Sequence, residues 1–241
     1  MNVPLLSPNL LFAFLGGVAP ALVWLCFWLF EDRCQPEPKR YIFFTFLAGM
    51  FAVAPVLLIE QGLIPYIDPA FAAGAAASPL LLLLWAGTEE LFKFAAAYFV
   101  ALRSWVFDEP LDAVMYMVTA ALGFSALENT LFLFGSITQG GLLHGVVTGD
   151  LRFLGATLLH TLASATVGIT LALTFYKSRA VRMLAALGGV ILGVCLHTLF
   201  NFFILGNSGG TTFFIFLCIW FGLIAVLSLV ERVKQPARDY C

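Results

Sequence analysis

Long stretches of apolar residues alternate with short polar segments along the whole chain. A helix needs about 20 mostly apolar residues to cross the hydrocarbon core of a bilayer. The pattern therefore predicts an all-α membrane protein, a polytopic bundle of about seven transmembrane helices in one integral membrane domain. The predicted spans are about 10–30, 41–59, 79–102, 112–134, 151–175, 182–205 and 211–230. Between the fourth and fifth spans, residues 136–150 are predicted to form a Gly-rich polar loop.

Lys and Arg in the polar segments predict the orientation of the bundle, because cytoplasmic loops are enriched in these residues. The segments after the first, third and fifth spans and the C-terminal tail carry most of them, whereas the other loops carry only Arg152. The N-terminus is therefore predicted outside and the C-terminus in the cytoplasm. The first span has no basic residue before it and no small-residue cleavage site after it, so we expect it to remain in the membrane.

Composition excludes several classes of protein. Apolar residues make up 61% of the chain and charged residues 11%, against about 25% charged in soluble proteins, which excludes an ordinary soluble domain and a disordered chain. The net charge is −2 without any basic run, so nucleic acid is excluded as a partner. No C-x-x-C pair occurs among the five cysteines, so neither a disulfide framework nor a zinc knuckle is indicated: Cys26, Cys34, Cys195, Cys218 and Cys241.

Six ionisable side chains fall inside the predicted spans, where each charge costs about 2.5–3.5 kcal/mol. They are Glu89, Glu90, Lys93, Glu128, His160 and His197. A rise of about 1.5 Å per residue, counted from the outer end of each span, places four of the six helix positions at a similar depth in the outer half of the bilayer. We expect these groups to face one another around a wet pocket.

Carboxylates and imidazoles in one layer suit the activation of a water molecule. A buried Glu serves as a general base, while a His or the amide of Asn201 can orient the water or donate to a developing oxyanion. No H-E-x-x-H is present, and three carboxylates beside Lys93 would crowd an ion, so the sequence favours a site without a cofactor. Zn²⁺ is the alternative, with these ligands: Glu89, Glu128, His160 and His197.

Three short motifs and one histidine lie on four successive predicted helices, from the third to the sixth. Residues 89–93 read EExxK, residues 124–129 read FxxxEN and residues 197–201 read HxxxN, with His160 between the second and the third. In this order they resemble the PrsW family of intramembrane proteases, which is related to the type II CAAX prenyl endopeptidases and other CPBP membrane proteins. The segment Pro36-Glu37-Pro38 is also similar to PrsW proteins.

The resemblance implies an intramembrane endopeptidase, described in related enzymes both as glutamic and as metal-dependent. It implies a bacterial inner-membrane location and membrane-anchored protein substrates, with anti-sigma factors as the named class. Glu89 would be the general base on the catalytic water, with Glu90 and Lys93 supporting it. His160 would help to activate or position that water.

The resemblance also assigns the remaining polar residues of the predicted layer. Glu128 and Asn129 would shape the pocket, and His197 and Asn201 would stabilise the oxyanion. Two other functions are open on the residues alone. Buried Glu, Lys and His also relay protons in proton-coupled transporters, and a non-catalytic membrane scaffold would keep the polar layer for stability.

Overall fold

The computed structural model describes residues 7–33, 35–206 and 209–234, and in these ranges the chain is helical without strands. The helices are α1 Pro8–Glu31, α2 Lys39–Ile67, α3 Pro69–Ala72, α4 Pro79–Ala97, α5 Pro110–Leu151, α6 Thr157–Leu173, α7 Arg179–Gly206 and α8 Gly209–Val233. A π-helical turn, Tyr98–Leu102, continues α4, and a second, Arg152–Ala156, joins α5 to α6. Cys34 and Cys241 lie outside the described residues.

Serine and proline determine where two helices begin. The side chains of Ser7 and Ser78 accept hydrogen bonds from the backbone N–H groups of Leu10 (3.2 Å) and Leu81 (3.3 Å). Each serine is followed by a proline at the first helical position, where the missing N–H costs nothing. Because the cap satisfies an N–H group that the first turn leaves free, α4 begins at Pro79, the start of the third predicted span.

Helix α5 lies at the centre of the bundle. Every residue from Leu111 to Ala126 is buried, as expected for a helix that is apolar on all sides. Helices α1, α2, α4 and α6 pack against it. A Cβ atom at Gly49 of α2 or at Gly123 of α5 would collide with the backbone carbonyl of the facing helix. These glycines therefore allow α2 and α5 to approach closely.

The chain reverses direction at Gly141, inside α5, where φ is +79°. On either side of this turn, residues progressively farther apart in sequence face each other. Ser136 Oγ lies 2.7 Å from Thr148 Oγ1, and Asn129 Nδ2 donates to Thr157 Oγ1 at 2.9 Å. The residues before and after Gly141 therefore form two antiparallel limbs of a helical hairpin.

The prediction of a loop over residues 136–150 is wrong, because the residues on both sides of the Gly141 turn are helical. The glycines of this segment allow the limbs to close: Gly145 lies directly against the side chain of Ile137. Helix α2 likewise continues to Ile67, past the predicted end at 59, with Pro65 inside it. Proline is tolerated in membrane helices where neighbouring groups compensate for the lost hydrogen bond.

Five helical stretches of the described chain are long and apolar enough to cross a membrane: Pro8–Glu31, Lys39–Ile67, Pro110–Leu173, Arg179–Ile204 and Thr212–Val233. The third of these contains both limbs of the hairpin. Large apolar side chains cover the outside of the bundle, among them Phe51 and Leu58, which are 71% and 73% exposed. Such a surface requires lipid around it, so the chain is an integral membrane protein.

The segments that carry most of the basic residues meet at one end of the bundle. Lys234 Nζ, just after α8, lies 2.5 Å from Glu31 Oε2 at the end of α1. The rings of Phe107 and Phe175 pack edge to face with centroids 5.0 Å apart. We call this end the basic end; it comprises residues 31–33, 35–40, 103–112, 174–182 and 234.

Candidate active site

Four helices direct ionisable or amide side chains into one layer inside the bundle. Glu89, Glu90 and Lys93 come from α4, Glu128 and Asn129 from α5, His160 from α6 and His197 from α7. The side chain of Glu128 is 16% exposed, and the other six residues are buried. The structure thus brings together seven of the eight residues that the sequence singles out. We call these seven residues the polar layer.

Lys93 is the cation at the centre of the polar layer, and its side chain is fully buried. Its Nζ lies 2.6 Å from Glu90 Oε1 and 3.5 Å from Glu89 Oε2. The same Nζ lies 2.8 Å from His160 Nδ1 and 4.8 Å from the centroid of the Phe124 ring. Because an ammonium group only donates, Nδ1 of His160 must be the acceptor, and the proton of this imidazole is on Nε2.

The partners of both imidazoles determine which nitrogen faces inward. His160 Nε2 donates to Glu128 Oε2 at 3.0 Å, and its Nδ1 lone pair lies 3.8 Å from Glu89 Oε2. His197 Nδ1 donates to Glu90 Oε1 at 2.9 Å, and its Nε2 lies 3.9 Å from Glu89 Oε2. Each histidine therefore donates a hydrogen bond to an outer carboxylate, and its unprotonated nitrogen faces Glu89.

Glu89 Oε2 is the atom at which these two nitrogens converge. It is buried and accepts no hydrogen bond from the described residues. A carboxylate oxygen of Glu89 and one nitrogen each of His160 and His197 lie within 4.8 Å of one another. Two imidazoles and a carboxylate form a donor set of catalytic zinc sites. In metal sites the ligating histidines usually donate their other N–H to a carboxylate, as His160 and His197 do here to Glu128 and Glu90. These residues therefore fit a divalent metal.

Arg152 belongs to the site and is missing from the sequence prediction. It opens the π-helical turn between α5 and α6, and its guanidinium donates to Glu128 Oε2 and Asn129 Oδ1, both at 2.5 Å. With its oxygen held by Arg152 and His160, Glu128 lies outside the three-residue group that converges on Glu89. One feature of the sequence could have indicated Arg152: it is the only basic residue in the loops of the predicted outer side.

Glu60 is a further carboxylate near the polar layer. It follows the predicted end of the second span directly, but α2 continues through it. Its Oε1 is buried and accepts no hydrogen bond from the described part of the chain. Glu60 is within electrostatic reach of Glu89, Glu128 and Lys93. No motif marks this residue, so only the packing of α2 identifies it.

Asn201 is the predicted site residue that the structure does not join to the polar layer. It lies one helical turn beyond His197 on α7 and is half-buried. Its amide makes no hydrogen bond with the residues that the structure describes.

A second set of carboxylates, Asp32, Glu37 and Asp112, is buried at the basic end. Asp32 Oδ2 accepts a hydrogen bond from the backbone N–H of Glu37 at 3.2 Å, and Tyr116 of α5 donates to the carboxylate of Glu37. Burial raises the pKa of Asp32 to about 7, and burial together with the Asp112 carboxyl raises the pKa of Glu37 to about 9. The Pro36-Glu37-Pro38 segment is thus attached to α5.

A sequence model described as PrsW family intramembrane metalloprotease matches residues 37–227. The chain belongs to the PrsW family. The matched range contains all seven residues of the polar layer together with Asn201, so the family resemblance inferred from the motifs is confirmed.

Several curated relatives carry the name Protease PrsW. The chain is 29% identical over 232 residues to the one from Geobacillus kaustophilus (strain HTA426), which covers 92% of each chain. It is 28% identical over 226 residues to the one from Halalkalibacterium halodurans, covering 91% of this chain and 94% of the relative. It is 25% identical over 212 residues to the one from Bacillus subtilis (strain 168), covering 86% of this chain and 91% of the relative. No solved structure gave a significant match.

Proposed function

We propose that this PrsW family member is an intramembrane endopeptidase that hydrolyses a peptide bond of membrane-anchored proteins. The observation that carries the proposal is the buried Glu89 Oε2, which faces one unprotonated nitrogen each of His160 and His197 and accepts no hydrogen bond from the described residues. The relatives named proteases and the membrane location support the same conclusion.

Glu89, His160 and His197 would hold a divalent metal, and Zn²⁺ suits this donor set. When bound, such an ion polarises a carbonyl group and makes its water a nucleophile near neutral pH. Only one of the three carboxylates, that of Glu89, would be a ligand, because Glu90 and Glu128 bind the outer nitrogens of the imidazoles. Among the described residues, these two carboxylates would orient the ligands.

Charge balance also favours a cation. Among the described residues, only two basic side chains, Lys93 and Arg152, face the carboxylates of Glu60, Glu89, Glu90 and Glu128. With every group ionised, these six residues carry two excess negative charges in an apolar surrounding, where uncompensated charge is costly. A divalent ion would remove that excess; without one, protons must do so.

The chain's own residues would perform distinct tasks. Glu90 and Glu128 hold the imidazoles in their tautomers, and Arg152 fixes Glu128 in turn. Lys93 neutralises Glu90 and shares Nδ1 of His160, so it would compete with a metal for this nitrogen. In this tautomer His197 presents no N–H toward Glu89, so Asn201 would be the oxyanion donor from α7.

In the metal-free alternative, which the sequence favours, Glu89 accepts the proton of the attacking water as a general base. The same buried oxygen, which accepts no hydrogen bond from the described residues, would then carry the chemistry. The two versions differ in one measurable quantity, the metal content of the active protein.

The topology is part of the proposal. We infer that α4 and each limb of the hairpin cross the membrane in addition to α1, α2, α7 and α8, which gives seven spans. The basic end would face the cytoplasm and the N-terminus the outside. Following the family resemblance, the membrane is the bacterial inner membrane and anti-sigma factors are the first substrates to test.

Reconstitution with a single-span anti-sigma factor tests the proposed function. Purified protein and substrate are combined in proteoliposomes, cleavage is located by mass spectrometry, and bound metal is quantified. Site-specific cleavage that is lost in Glu89→Gln supports the protease, and one zinc per chain whose removal abolishes cleavage supports the metal. Cleavage by metal-free protein would establish the glutamate version. Glu89-dependent proton transport by folded protein without cleavage of any membrane-anchored substrate would overturn the proposal in favour of a transporter.

A further inference from the structure

A cavity of about 720 Å³ lies between α4, with its π-helical turn, and α7. It is separate from the polar layer, because it lies on the side of α4 that carries Leu91 rather than Glu90 and Lys93. Its lining includes Leu91 and Leu187, which are 56% and 58% exposed. The cavity therefore opens on the lipid-facing surface of the bundle.

Three arginines line this cavity: Arg103 after the π-helical turn, and Arg179 and Arg182 in the first turn of α7. No acidic residue is among its lining residues. Arg103 donates a hydrogen bond from Nε to the carbonyl oxygen of Phe99 at 3.1 Å. Within the described chain, no carboxylate forms an ion pair with any of the three. Their guanidinium groups are thus available to an external anion.

The dimensions of the cavity match one leaflet of a bilayer. Its lining runs along α4 and its π-helical turn from Leu91 to Arg103, and along α7 from Arg179 to Val190. At about 1.5 Å per residue each path measures roughly 16–18 Å. Half of the hydrocarbon core is about 15 Å. With the arginines at the basic end, the apolar part of the cavity reaches toward the middle of the membrane.

We propose that this cavity binds an anionic phospholipid, with the phosphate at Arg103, Arg179 and Arg182 and an acyl chain along the apolar lining. Basic pockets between membrane helices bind such headgroups, and the positive end of the α7 dipole points to the same place. The apolar depth favours a lipid over a soluble phosphate or an acidic peptide, which would leave this lining empty.

A lipid bound in this cavity would stabilise the contact between α4 and α7 on which the polar layer depends. The cavity lies between the two helices that carry Glu90 and His197, whose hydrogen bond joins α4 to α7. A lipid seated between these helices fills the gap on their outer side. It would therefore stabilise the folded bundle whether or not the chain cleaves a substrate.

Lipid titration in detergent tests the proposal without any measurement of cleavage. Dioleoylphosphatidylglycerol and dioleoylphosphatidylcholine are titrated separately, bound lipid is counted by native mass spectrometry, and thermal unfolding is followed by tryptophan fluorescence. Phosphatidylglycerol should bind at least tenfold more tightly and raise the unfolding temperature. Since each arginine near an anionic headgroup contributes about fivefold, Arg179→Gln/Arg182→Gln should weaken its binding about 25-fold.

The control is Lys177→Gln/Arg232→Gln, which removes two exposed basic residues that do not line the cavity; its lipid preference should match that of the unchanged protein. If the double arginine variant does not fold, Arg182→Lys, which keeps the charge but loses the planar fork, should show a partial loss. Equal binding of the two lipids, an unchanged preference in the folded arginine variants, or equal protection by glycerol 3-phosphate or by an acidic peptide would each overturn the proposal.

Discussion

Glu90 of α4 accepts a hydrogen bond from Nδ1 of His197 of α7 at 2.9 Å, although the two residues are 107 positions apart. Both side chains are buried, and Ser164 Oγ lies 3.5 Å from the other oxygen of Glu90. The bond decides that Nε2 of His197 faces Glu89. Glu90 is therefore a positioning residue, and Glu89 is the residue that meets the reacting atoms in our proposal.

Glu89→Gln is expected to reduce cleavage about 10²- to 10⁴-fold, since it removes either the base or an anionic ligand while keeping the shape of the side chain. Cleavage of a reconstituted substrate measures the loss. Glu231→Gln, at the end of α8, serves as the matched control and should cleave normally. A Glu89→Gln protein with an unchanged rate would remove Glu89 from the chemistry.

Glu90→Gln is expected to lower activity and zinc affinity together, each about 10- to 100-fold, as for other residues that orient a metal ligand. Competition with a chelating dye measures the affinity. Ser164→Ala removes only a long contact to the same carboxylate and should change zinc affinity little. If Glu90→Gln bound zinc as tightly as the unchanged protein, the positioning role would be wrong.

Lys93→Met is expected to lower the free energy of unfolding by about 3–5 kcal/mol, because it leaves the buried carboxylate of Glu90 without its cation. Adding Glu90→Gln should recover part of the loss, since the uncompensated charge is gone. Lys234→Met breaks a partly exposed pair with Glu31 and should cost about 1 kcal/mol or less. Chemical unfolding in detergent gives these values, and equal losses for both lysines would contradict the burial argument.

Arg152→Lys should reduce activity about tenfold although the charge is kept. The guanidinium holds Glu128 through Nη2 and Asn129 through Nε, and an ammonium group cannot reproduce this fork. The defect should become smaller in a Glu128→Gln background, where Arg152 keeps its contact with Asn129 but has no carboxylate to hold. Independent, multiplicative losses in the double variant would show that Arg152 acts elsewhere.

The buried acids at the basic end predict how stability depends on pH. Their folded-state pKa values of about 7 for Asp32 and about 9 for Glu37 lie above the ordinary 3.8 and 4.5. The folded state thus binds more protons, and the free energy of unfolding should fall as the pH rises from about 4 to 9. Asp32→Asn/Glu37→Gln should flatten this slope in thermal unfolding measured across that range. A slope unchanged by both substitutions would contradict the assignment.

Labelling of single cysteines tests the seven-span topology in a background without native cysteines. Positions Ala75 and Gln139 are exposed and should react with an impermeant maleimide in intact cells. Arg33 and Ser178, exposed at the basic end, should react only after the membrane is opened. Labelling of all four positions from one side would exclude the proposed orientation.

The sequence alone determines the helical membrane class and most residues of the polar layer. The reason is energetic: in an apolar stretch every Glu, Lys or His is costly, so Glu89, Lys93 and His160 are visible without any knowledge of their partners. The same local information marks helix starts, such as Ser78 before Pro79, because a cap concerns only neighbouring residues. Orientation and the seven-span count stay predictions.

Tertiary structure decides what each of these groups does. The division between Glu89, which faces an unprotonated nitrogen of each histidine, and Glu90 and Glu128, which hold the imidazoles, depends on how α4, α5, α6 and α7 are rotated against one another. The same packing brings Arg152 and Glu60 to the layer and folds the hairpin at Gly141. Hydrogen bonds form only within about 3 Å, and for residues up to 107 positions apart such distances are set by helix packing rather than by local sequence.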